Sequence, residues 1–412
     1  MWAIFPFLLL FILFHSIFSR RLFSPYLFKL TWILPKTISK GSTLWIHGVS
    51  AGEIASTTLL VKLLDPHYNI FLTTTTYSGY EMGRKLFPNH NINYYPFDYP
   101  LFCKRILSHV KPVGVIFIEG EIWPNFLLEC KKRDIKTFLV SARMGEKEFR
   151  GYTYFYPLFR EVFQWYQLIS CQSEGDYNHY KSFLPRSNRL QIGGSLKLDN
   201  LIIPKIKRDN PKDYRLIMGC STHPIENRLF IKVYKELLNE YPDLKMILAP
   251  RHPKKLSHTI RMIHKHGITY TKWSSLLALS QIHHVQLLLV DTIGDLFMLY
   301  PLSDIVLLGG SFDKKVGGHN PIEALTCYNA VIAGPHTKNS EWLISSLKKK
   351  GGIIQILESK NQWVKTLYYQ ISDLLIHPNK RESLSQNAIN YLLSHHGITK
   401  NIANQIISHL KN

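Results

Sequence analysis

Downstream of residue 40, hydrophobic positions fall into short continuous runs that are separated by longer segments with helical periodicity. Continuous apolar runs are typical of parallel strands that helices cover on both faces. In the first half of the chain the predicted strands are 44–49, 70–76, 92–97, 113–118, 137–141 and 168–172. In the second half they are 216–219, 245–248, 286–290, 305–308, 330–333 and 353–356. The pattern predicts an α/β protein with two Rossmann-like domains.

The segment 202–213 between the two series is rich in Pro, Lys and Asp and has no periodic pattern, which favours a linker. We therefore predict an N-terminal domain over residues 22–203 and a C-terminal domain over residues 212–412. Two tandem Rossmann-like domains that face a cleft are the architecture of the GT-B group of glycosyltransferases. Because one fold hosts many functions, the function has to be argued from the site residues.

The N-terminal residues 1–19 carry no charge and are dominated by Phe, Leu and Ile, and two arginines follow at once. This run is long enough to span or lie in a bilayer. A cleaved signal peptide would carry its positive charge before the apolar stretch, and here the order is reversed. The segment 1–21 is therefore predicted to be an uncleaved anchor, with a buried N-terminal helix as the alternative. Because cationic flanks stay in the cytoplasm, the remainder should face the cytoplasm.

The charge of the chain indicates an anionic partner. Lys and Arg number 50 against 29 Asp and Glu, which gives 50 − 29 = +21. Acidic lipid and nucleic acid both fit this charge, but the cations are spread over both domains without the clustered face of a nucleic-acid binder. The five cysteines are scattered and form no Cys-x-x-Cys pair, so a disulfide framework and a zinc ribbon are disfavoured.

The segment 45–53 runs from a predicted strand through a turn of small residues into a helix. Ser50 and Gly52 in this turn leave room for a ligand to approach the backbone. Glu53 follows at the carboxyl end of the strand, where ligands gather in open α/β sheets, so it could act as a general base. The alternative is that Glu53 only caps the helix.

A second acidic motif, 118–125, follows another apolar strand. Glu119 and Glu121 are two positions apart, so both side chains can face one cleft. Charged residues are seldom placed beside such a strand without a purpose, and substrate or base positioning is one interpretation. A metal site is the other, but the Asp-x-Asp pair that metal-dependent transferases of the other fold group use is absent from the sequence. We expect no metal site.

The segment 309–323 is a glycine-rich loop that leads into a helix. Such loops expose N–H donors to phosphate, which makes this one a candidate site for a donor nucleotide, with a structural turn as the alternative. Glu323 is placed to accept ribose hydroxyls. His319 and His336 have no neighbouring ligand residues and are interpreted as polar contacts. At another strand end, Arg251 offers a rigid fork of donors to a phosphate.

Taken together, these motifs resemble the 3-deoxy-D-manno-octulosonic acid (Kdo) transferase family of lipopolysaccharide synthesis, and the resemblance covers nearly the whole chain. Besides the apolar N-terminus, the matching motifs are Val-Ser-Ala-Gly-Glu (49–53), Thr-Thr-Thr-Thr (73–76), Glu-Gly-Glu-Ile-Trp-Pro-Asn (119–125), Ser-Ala-Arg (141–143), Arg-Gly-Tyr (150–152), Gly-Ser-Leu-Lys (194–197), Ser-Thr-His (221–223), Pro-Arg-His-Pro (250–253), Asp-Thr-Ile-Gly-Asp (291–295), Gly-Gly-His-Asn (317–320) and Gly-Pro-His (334–336).

The resemblance implies an inverting transferase, independent of metal and cofactor, that moves Kdo from CMP-Kdo to a lipid A precursor (lipid IVA) on the cytoplasmic side of the inner membrane. It implies no nucleic-acid partner. The candidate catalytic residues are Glu53, which matches the family's proposed base, Glu119 and Glu121. The candidate donor-binding residues are Ser221, Arg251, Gly317, Gly318, Asn320 and Glu323, and those of the acceptor or cleft are Ser50, Gly52, Arg143 and Lys197.

The sequence departs from the family pattern at three places. Gly120 stands where a small hydroxyl residue is common, Ser195 stands where Asn is common, and the stretch 312–316 is longer and more cationic than usual. These departures concern the acceptor more than the reaction type. The alternatives are a transferase of the same fold that uses a UDP-sugar, a nucleotide-sugar epimerase, and a membrane-tethered binding protein without activity.

Overall fold

The structure is a computed structural model that describes residues 26–35, 41–199, 201, 214–253, 255–276 and 279–411. It divides into two compact units, the first formed by residues 1–200 and 395–412 and the second by residues 201–394. The predicted anchor and the predicted linker lie outside the described residues. Within the described ranges, no helix is both long and apolar enough to cross a membrane.

The first unit contains a seven-stranded sheet. Its strands are β1 (Thr43–His47), β2 (Asn69–Thr74), β3 (Asn91–Tyr94), β4 (Pro112–Ile118), β5 (Lys136–Ala142), β6 (Leu168–Cys171) and β7 (Leu190–Ile192). They are parallel throughout, in the order β3-β2-β1-β4-β5-β6-β7. Six of them correspond to predicted strands. The edge strand β7 was missed because it has three residues, of which one is buried.

Helices cover both faces of this sheet, and alternate residues of each strand enter different cores. Trp45 and Phe117 belong to the cluster on one face, and Leu44 and Ile116 to the cluster on the other. All five residues of β1 are buried, as the continuous apolar run indicated. The helices of this unit are Ala51–Ser56, Thr58–Leu64, Tyr77–Leu86, Pro100–Val110, Pro124–Lys132, Glu146–Tyr154, Tyr156–Gln164, Glu174–Phe183, Leu196–Asp199 and Ile398–Lys411.

The C-terminal helix Ile398–Lys411 packs on the first sheet, whereas the sequence analysis assigned the whole of 212–412 to the second domain. Ile402 and Ile406 are buried in the same cluster as Leu44. The carboxylate of Asp199 accepts hydrogen bonds from the N–H groups of Gly397 (2.7 Å) and Thr399 (2.6 Å), which caps the helix from the first unit. The helix was assigned to the second domain because it follows that domain in the chain, and chain order does not determine which sheet a helix covers.

The second unit contains another parallel seven-stranded sheet. Its strands are β8 (Leu216–Thr222), β9 (Lys245–Pro250), β10 (Tyr270–Lys272), β11 (Leu287–Leu289), β12 (Ile305–Leu308), β13 (Ala330–Ala333) and β14 (Ile354–Gln355), in the order β10-β11-β9-β8-β12-β13-β14. Its α-helices are Pro224–Leu237, Ser257–Lys265, Leu296–Leu299, Ile322–Thr326, Glu341–Lys349, Trp363–Ile376 and Pro378–Leu393. The short 3-10 helices are Trp273–Ser275, Leu279–His284, Tyr300–Leu302, Lys338–Ser340 and Lys360–Gln362.

The two sheets share one topological feature that positions the candidate sites. In each unit the first strand is internal, and the chain completes the strands on one side of it before it crosses to the other side. The crossing lies between β1 and β4 in the first unit, and between β8 and β12 in the second. In open α/β sheets the crevice at the carboxyl ends of such a strand pair is the usual ligand site. The prediction of two Rossmann-like α/β domains of the GT-B type is confirmed.

Candidate functional site

Three carboxylates meet at the carboxyl ends of β1 and β4. Glu53 lies in the helix that follows β1, while Glu119 and Glu121 follow β4 directly. Since β1 and β4 are adjacent and parallel, their carboxyl ends lie side by side. The negative charges are close enough for Glu119 to raise the pKa of Glu53, and for Glu53 to raise that of Glu121. We call this group of three side chains the carboxylate edge.

Glu53 is held by the turn that precedes its helix. Its Oε2 accepts a hydrogen bond from the N–H of Val49 (2.8 Å), and its Oε1 accepts one from the Ser50 hydroxyl (2.9 Å). In return, the Ser50 hydroxyl oxygen accepts from the N–H of Glu53 (3.3 Å) and caps the helix. Burial, and then the charge of Glu119, raise the pKa of Glu53, while these hydrogen bonds oppose the rise. Glu53 therefore closes the turn before its helix and is at the same time a carboxylate with a raised pKa.

Glu119 occupies a strained turn at the end of β4. Its φ is 67°, a left-handed conformation that non-glycine residues seldom adopt. The turn is held by β5 and by the residue that follows it, because the N–H of Glu119 donates to the carbonyl of Val140 (3.0 Å) and the N–H of Arg143 donates to the carbonyl of Glu119 (3.2 Å). At the side chain, Lys197 donates to Oε1 and forms an ion pair. Lys197, which lies far along the chain, is thereby placed at the carboxylate edge, as is the backbone of Arg143.

Glu121 faces a buried histidine that the sequence analysis did not single out. Burial, and then the charge of Glu53, raise the pKa of Glu121 to about 7. His47, at the end of β1, is fully buried, and its ring stacks on Tyr95 with 4.0 Å between the centroids. The Nδ1 of His47 lies 3.1 Å from the carbonyl of Thr73, so it carries the proton, and burial lowers the pKa of this imidazole to about 3. The signal for His47 was a polar residue inside an otherwise apolar strand.

The chemistry of the carboxylate edge follows from these protonation states. At neutral pH, Glu53 can accept a proton more readily than an exposed carboxylate, because its pKa is raised. A carboxyl group with a pKa near 7, such as that of Glu121, is partly protonated and can also donate a hydrogen bond. Within the described residues, no group of three or more His, Cys, Asp or Glu is arranged to hold a metal ion.

Gly52 and Gly120 border the carboxylate edge and leave space beside it. Gly52 is exposed, and a methyl group at this position would meet only the Ser50 hydroxyl, at 4.0 Å. A methyl group at Gly120 would approach the Arg143 carbonyl at 3.4 Å. Small residues at both positions allow a bulky group to reach the carboxylates.

In the second unit, the candidate donor residues lie at the carboxyl ends of β8, β9 and β12. The glycine-rich loop that follows β12 bonds to itself: the N–H groups of Gly317, Gly318 and His319 donate to the carbonyls of Asp313, Gly310 and Gly309. The expected exposure of these N–H donors to a phosphate is therefore not observed. The positive φ angles of Gly317 (78°) and Gly318 (82°) show that these glycines shape the loop.

A carboxylate that the sequence analysis missed, Glu226, holds this loop in place. It is fully buried in the helix after β8 and accepts hydrogen bonds from the N–H groups of His223 (2.9 Å), Gly310 (2.7 Å) and Phe312 (2.9 Å). Burial raises its pKa, and the three hydrogen bonds oppose the rise. The signal in the sequence was a carboxylate three positions after His223, the residue that caps the helix, which is where a capping-box carboxylate stands.

Two histidines pair above this loop, next to Arg251. The Nε2 atoms of His223 and His319 are 3.0 Å apart, and the rings stack with 5.2 Å between their centroids. Burial, and then the charge of His223, lower the pKa of His319 to about 4, and Arg251 adds to the effect. At neutral pH both rings are therefore neutral, and the Nε2–H of one donates a hydrogen bond to the Nε2 of the other. The exposed cation of Arg251 is the positive charge that an anionic ligand would meet.

The other predicted donor residues surround the same strand ends. Ser221, near the end of β8, has a φ of 50° and lies against Gly309, where a methyl group would meet the Ser221 carbonyl at 2.3 Å. Asn320 accepts a hydrogen bond from the N–H of Ile322 (3.1 Å) and starts the helix Ile322–Thr326. Glu323 is exposed in the first turn of that helix. The structure thus gathers all six predicted donor residues at one edge of the second sheet.

The sequence matches a known protein family and its curated members. A family model described as 3-deoxy-D-manno-octulosonic-acid transferase (kdotransferase) matches residues 26–200. The 3-deoxy-D-manno-octulosonic acid transferase of Haemophilus influenzae is 28% identical over 383 residues, which cover 89% of this chain and 87% of that protein.

Solved structures of low sequence identity share the fold. The UDP-GlcNAc 2-epimerase from Neisseria meningitidis matches with a TM-score of 0.60 and 15% identity, over 89% of this chain and 100% of that one. A glycosyltransferase from Rickettsia africae matches with a TM-score of 0.59 and 11% identity, over 91% of this chain and 100% of that one. Since an epimerase and a transferase match equally well, these similarities show the fold alone.

Proposed function

We infer that this chain, which belongs to the 3-deoxy-D-manno-octulosonic acid (Kdo) transferase family, is a glycosyltransferase that transfers Kdo in lipopolysaccharide biosynthesis. We further propose CMP-Kdo as the donor and a lipid A precursor as the acceptor. A phosphorylated acceptor fits the net charge of +21. A donor with one leaving phosphate fits the exposed cation of Arg251 beside the glycine-rich loop.

In the proposed reaction, Glu53 is the general base. Its carboxylate takes the proton of an acceptor hydroxyl while that oxygen forms a bond to the anomeric carbon of Kdo. The bond between this carbon and the CMP phosphate oxygen breaks, and CMP leaves with the bonding electrons. A single displacement of this kind inverts the configuration at the anomeric carbon. The observation that carries the assignment is the fixed carboxylate of Glu53, whose pKa is raised by burial and by Glu119.

The other charged groups of the carboxylate edge tune this base. Lys197 pairs with Glu119 and also lowers the pKa of Glu53, so it limits how strongly the neighbouring carboxylates oppose ionisation. Glu121, whose pKa burial and the charge of Glu53 raise to about 7, is the alternative base. We assign the base role to Glu53 because two hydrogen bonds fix both of its oxygens, which keeps the carboxylate in one orientation.

On the donor side, we propose that side chains bind CMP. Arg251 neutralises the leaving phosphate, and the neutral pair of His223 and His319 beside it donates or accepts hydrogen bonds without adding charge. Glu323 accepts hydrogen bonds from the ribose hydroxyls. The glycines keep the loop close to the strand ends and leave space for the nucleotide.

We also propose that the protein works at the cytoplasmic face of the inner membrane. An exposed apolar group supports this: Tyr154 is 83% exposed, Phe155 56% and Leu158 49%, all at the junction of two helices in the first unit. The cationic side chain of Arg150 lies on the same helix as Tyr154. Aromatic and cationic side chains together favour an anionic bilayer surface.

The test of the function is a transfer assay with the purified full chain. CMP-Kdo and a lipid A precursor are supplied, and the product is weighed by mass spectrometry. We expect an increase in mass by whole Kdo units, retained in excess chelator. Replacing CMP-Kdo with a UDP-sugar is the donor control and should give no product. Transfer from the UDP-sugar but not from CMP-Kdo would overturn the donor assignment, and tight binding of both substrates without product would indicate a binding protein.

A further inference from the structure

A cavity of about 730 Å³ lies in the first unit, away from the carboxylate edge. Its lining includes Lys131, Arg160, Trp165, Phe183, Arg186 and Arg189. These residues lie at the ends of the helices that lead into β5, β6 and β7, so the cavity opens at the amino ends of these strands. The carboxylate edge lies at the carboxyl ends of the same parallel sheet, roughly 20 Å away along a seven-residue strand.

The lining of this cavity is strongly cationic. It contains Lys131, Arg160, Arg186 and Arg189 and no carboxylate. The carboxylate paired with this group is Glu161, whose Oε1 lies 3.8 Å from the Lys131 Nζ. In the part of the chain that the structure describes, Arg160 and Arg186 form no ion pair. Four like charges in one depression repel each other, so an anionic occupant would relieve the repulsion.

Part of this positive charge has a structural use. Helices end at Lys132, Gln164 and Phe183 beside the cavity, and each helix end contributes about half a negative charge. Arg189 donates to the last carbonyl of one of them, that of Gln164 (2.7 Å). The three ends together supply roughly −1.5 and Glu161 adds one negative charge, against four cations, so the cavity keeps a positive excess. Arg160 and Arg186 are the cations that helix capping does not explain.

The wall of the cavity also has an apolar and a donor component. Phe183 and Leu184 are buried beneath it, and the Lys131 ammonium lies 5.3 Å from the Trp165 ring centroid. The indole nitrogen of Trp165 is buried and has no hydrogen-bond acceptor within the described residues. The Trp165 ring adds aromatic surface to the cavity wall, which suits the organic part of a ligand.

We propose that this cavity binds the phosphate group of an organic phosphate, with Arg160 and Arg186 as the charged contacts. The volume is far larger than a bare phosphate needs and falls in the range of small-molecule sites. The cations take the phosphate, and the aromatic and apolar wall takes the organic part. A soluble phosphate ester and the head group of an anionic phospholipid share this chemistry. The site is independent of the proposed transfer reaction.

Calorimetry on the full chain tests the site with three probes: glycerol 1-phosphate, short-chain phosphatidylglycerol below its micelle concentration, and short-chain phosphatidylcholine. We expect one of the two anionic probes to bind and the zwitterionic one to bind at least tenfold more weakly. Preference for phosphatidylglycerol identifies a lipid head group, and preference for glycerol 1-phosphate identifies a soluble ester. Equal binding of all three probes, or binding of none, overturns the proposal.

The matched variants are the double change Arg160→Gln with Arg186→Gln and the control double change Arg105→Gln with Arg228→Gln, which removes two exposed arginines elsewhere. Losing two charge-assisted contacts should weaken anion binding roughly 100-fold in the first variant and leave it nearly unchanged in the control. Equal losses of anion affinity in both variants would show that the effect comes from net charge alone, and this would overturn the site. Kdo transfer should stay near wild type in the first variant, and its loss would make the cavity part of the substrate site.

Discussion

His47 and Glu121 face each other across the ends of β1 and β4, with 4.0 Å between the imidazole Nε2 and the carboxylate Oε2. Their pKa values are displaced in opposite directions, to about 3 for the histidine and about 7 for the glutamate. Both groups are therefore neutral over the weakly acidic range. The distance exceeds that of a hydrogen bond, but the Nε2 of His47 has no other partner in the described residues. A small movement of protonated Glu121 would let it donate to that nitrogen.

This pair leads to a pH-dependent prediction for Glu121→Gln. Between pH 4.5 and about 7, the unfolded chain releases the Glu121 proton and the folded protein keeps it, so the free energy of unfolding falls as pH rises. His47 acts in the opposite sense, because only the unfolded state protonates it between pH 6.5 and about 3, and stability falls as pH decreases. Because His47 is present in both proteins, its contribution cancels when the free energy of unfolding of Glu121→Gln is subtracted from that of the wild type.

Urea unfolding at pH 4.5 and pH 8 measures that difference. Relative to Glu121→Gln, the wild type should lose up to about 3 kcal/mol of its free energy of unfolding as the pH rises from 4.5 to 8. The exposed Glu161→Gln serves as the control and should track the wild type. Parallel curves for wild type and Glu121→Gln would show that Glu121 titrates normally.

The second prediction concerns Glu53→Gln. The amide keeps the size of the side chain but removes the basic oxygen, so turnover should fall by about 10²–10⁴-fold, while CMP affinity remains close to wild type. One of the two capping hydrogen bonds is also lost, at a cost of roughly 1 kcal/mol in stability.

Ser50→Ala separates the two effects, because it removes the capping hydroxyl and keeps the carboxylate. It should lose comparable stability and retain much more turnover than Glu53→Gln. Rate, melting temperature and CMP affinity are measured on the same preparations. Near-normal Kdo transfer by Glu53→Gln would show that Glu53 is not the base, and Glu121 would become the candidate.

The third prediction concerns the ion pair between Lys197 and Glu119. Lys197 lowers the pKa of Glu53, so Lys197→Met should raise it and move the acid limb of the pH profile of kcat/KM to higher pH. The exposed Lys147→Met is the control and should leave the profile in place. An unshifted acid limb in Lys197→Met would mean that the ion pair does not influence the base.

These predictions also show what the sequence could provide. The two sheets and the strand-end positions of Glu53, Glu119 and Arg251 followed from continuous apolar runs, because short runs of this kind between helical segments are typical of parallel strands. The pairing of Lys197 with Glu119 could not be derived from spacing, since the two lie 78 positions apart and meet through the fold. His47 was hidden for a different reason: its role depends on a stacked ring and a buried environment, which an isolated polar residue in a strand does not reveal.

The fourth prediction concerns Glu226→Gln in the second unit. The amide has one acceptor oxygen in place of two, so at least one of the three buried N–H groups loses its partner, at a cost of about 1–3 kcal/mol. Loosening of the glycine-rich loop should also weaken CMP binding. Calorimetry and thermal unfolding check both effects, with the exposed Glu240→Gln as the control. Full stability together with normal CMP affinity would show that the loop does not depend on Glu226.

The last prediction follows from the C-terminal helix. Ile402 and Ile406 are almost completely buried against the first sheet, so Ile402→Ala and Ile406→Ala should each cost about 2–5 kcal/mol of stability. The exposed Asn404→Ala on the same helix should have little effect. Because the helix belongs to the first unit, the damage should appear as early thermal unfolding and loss of transfer, while CMP still binds to the second unit. Loss of CMP affinity at the same temperature as the loss of transfer would instead show that this helix also stabilises the second unit.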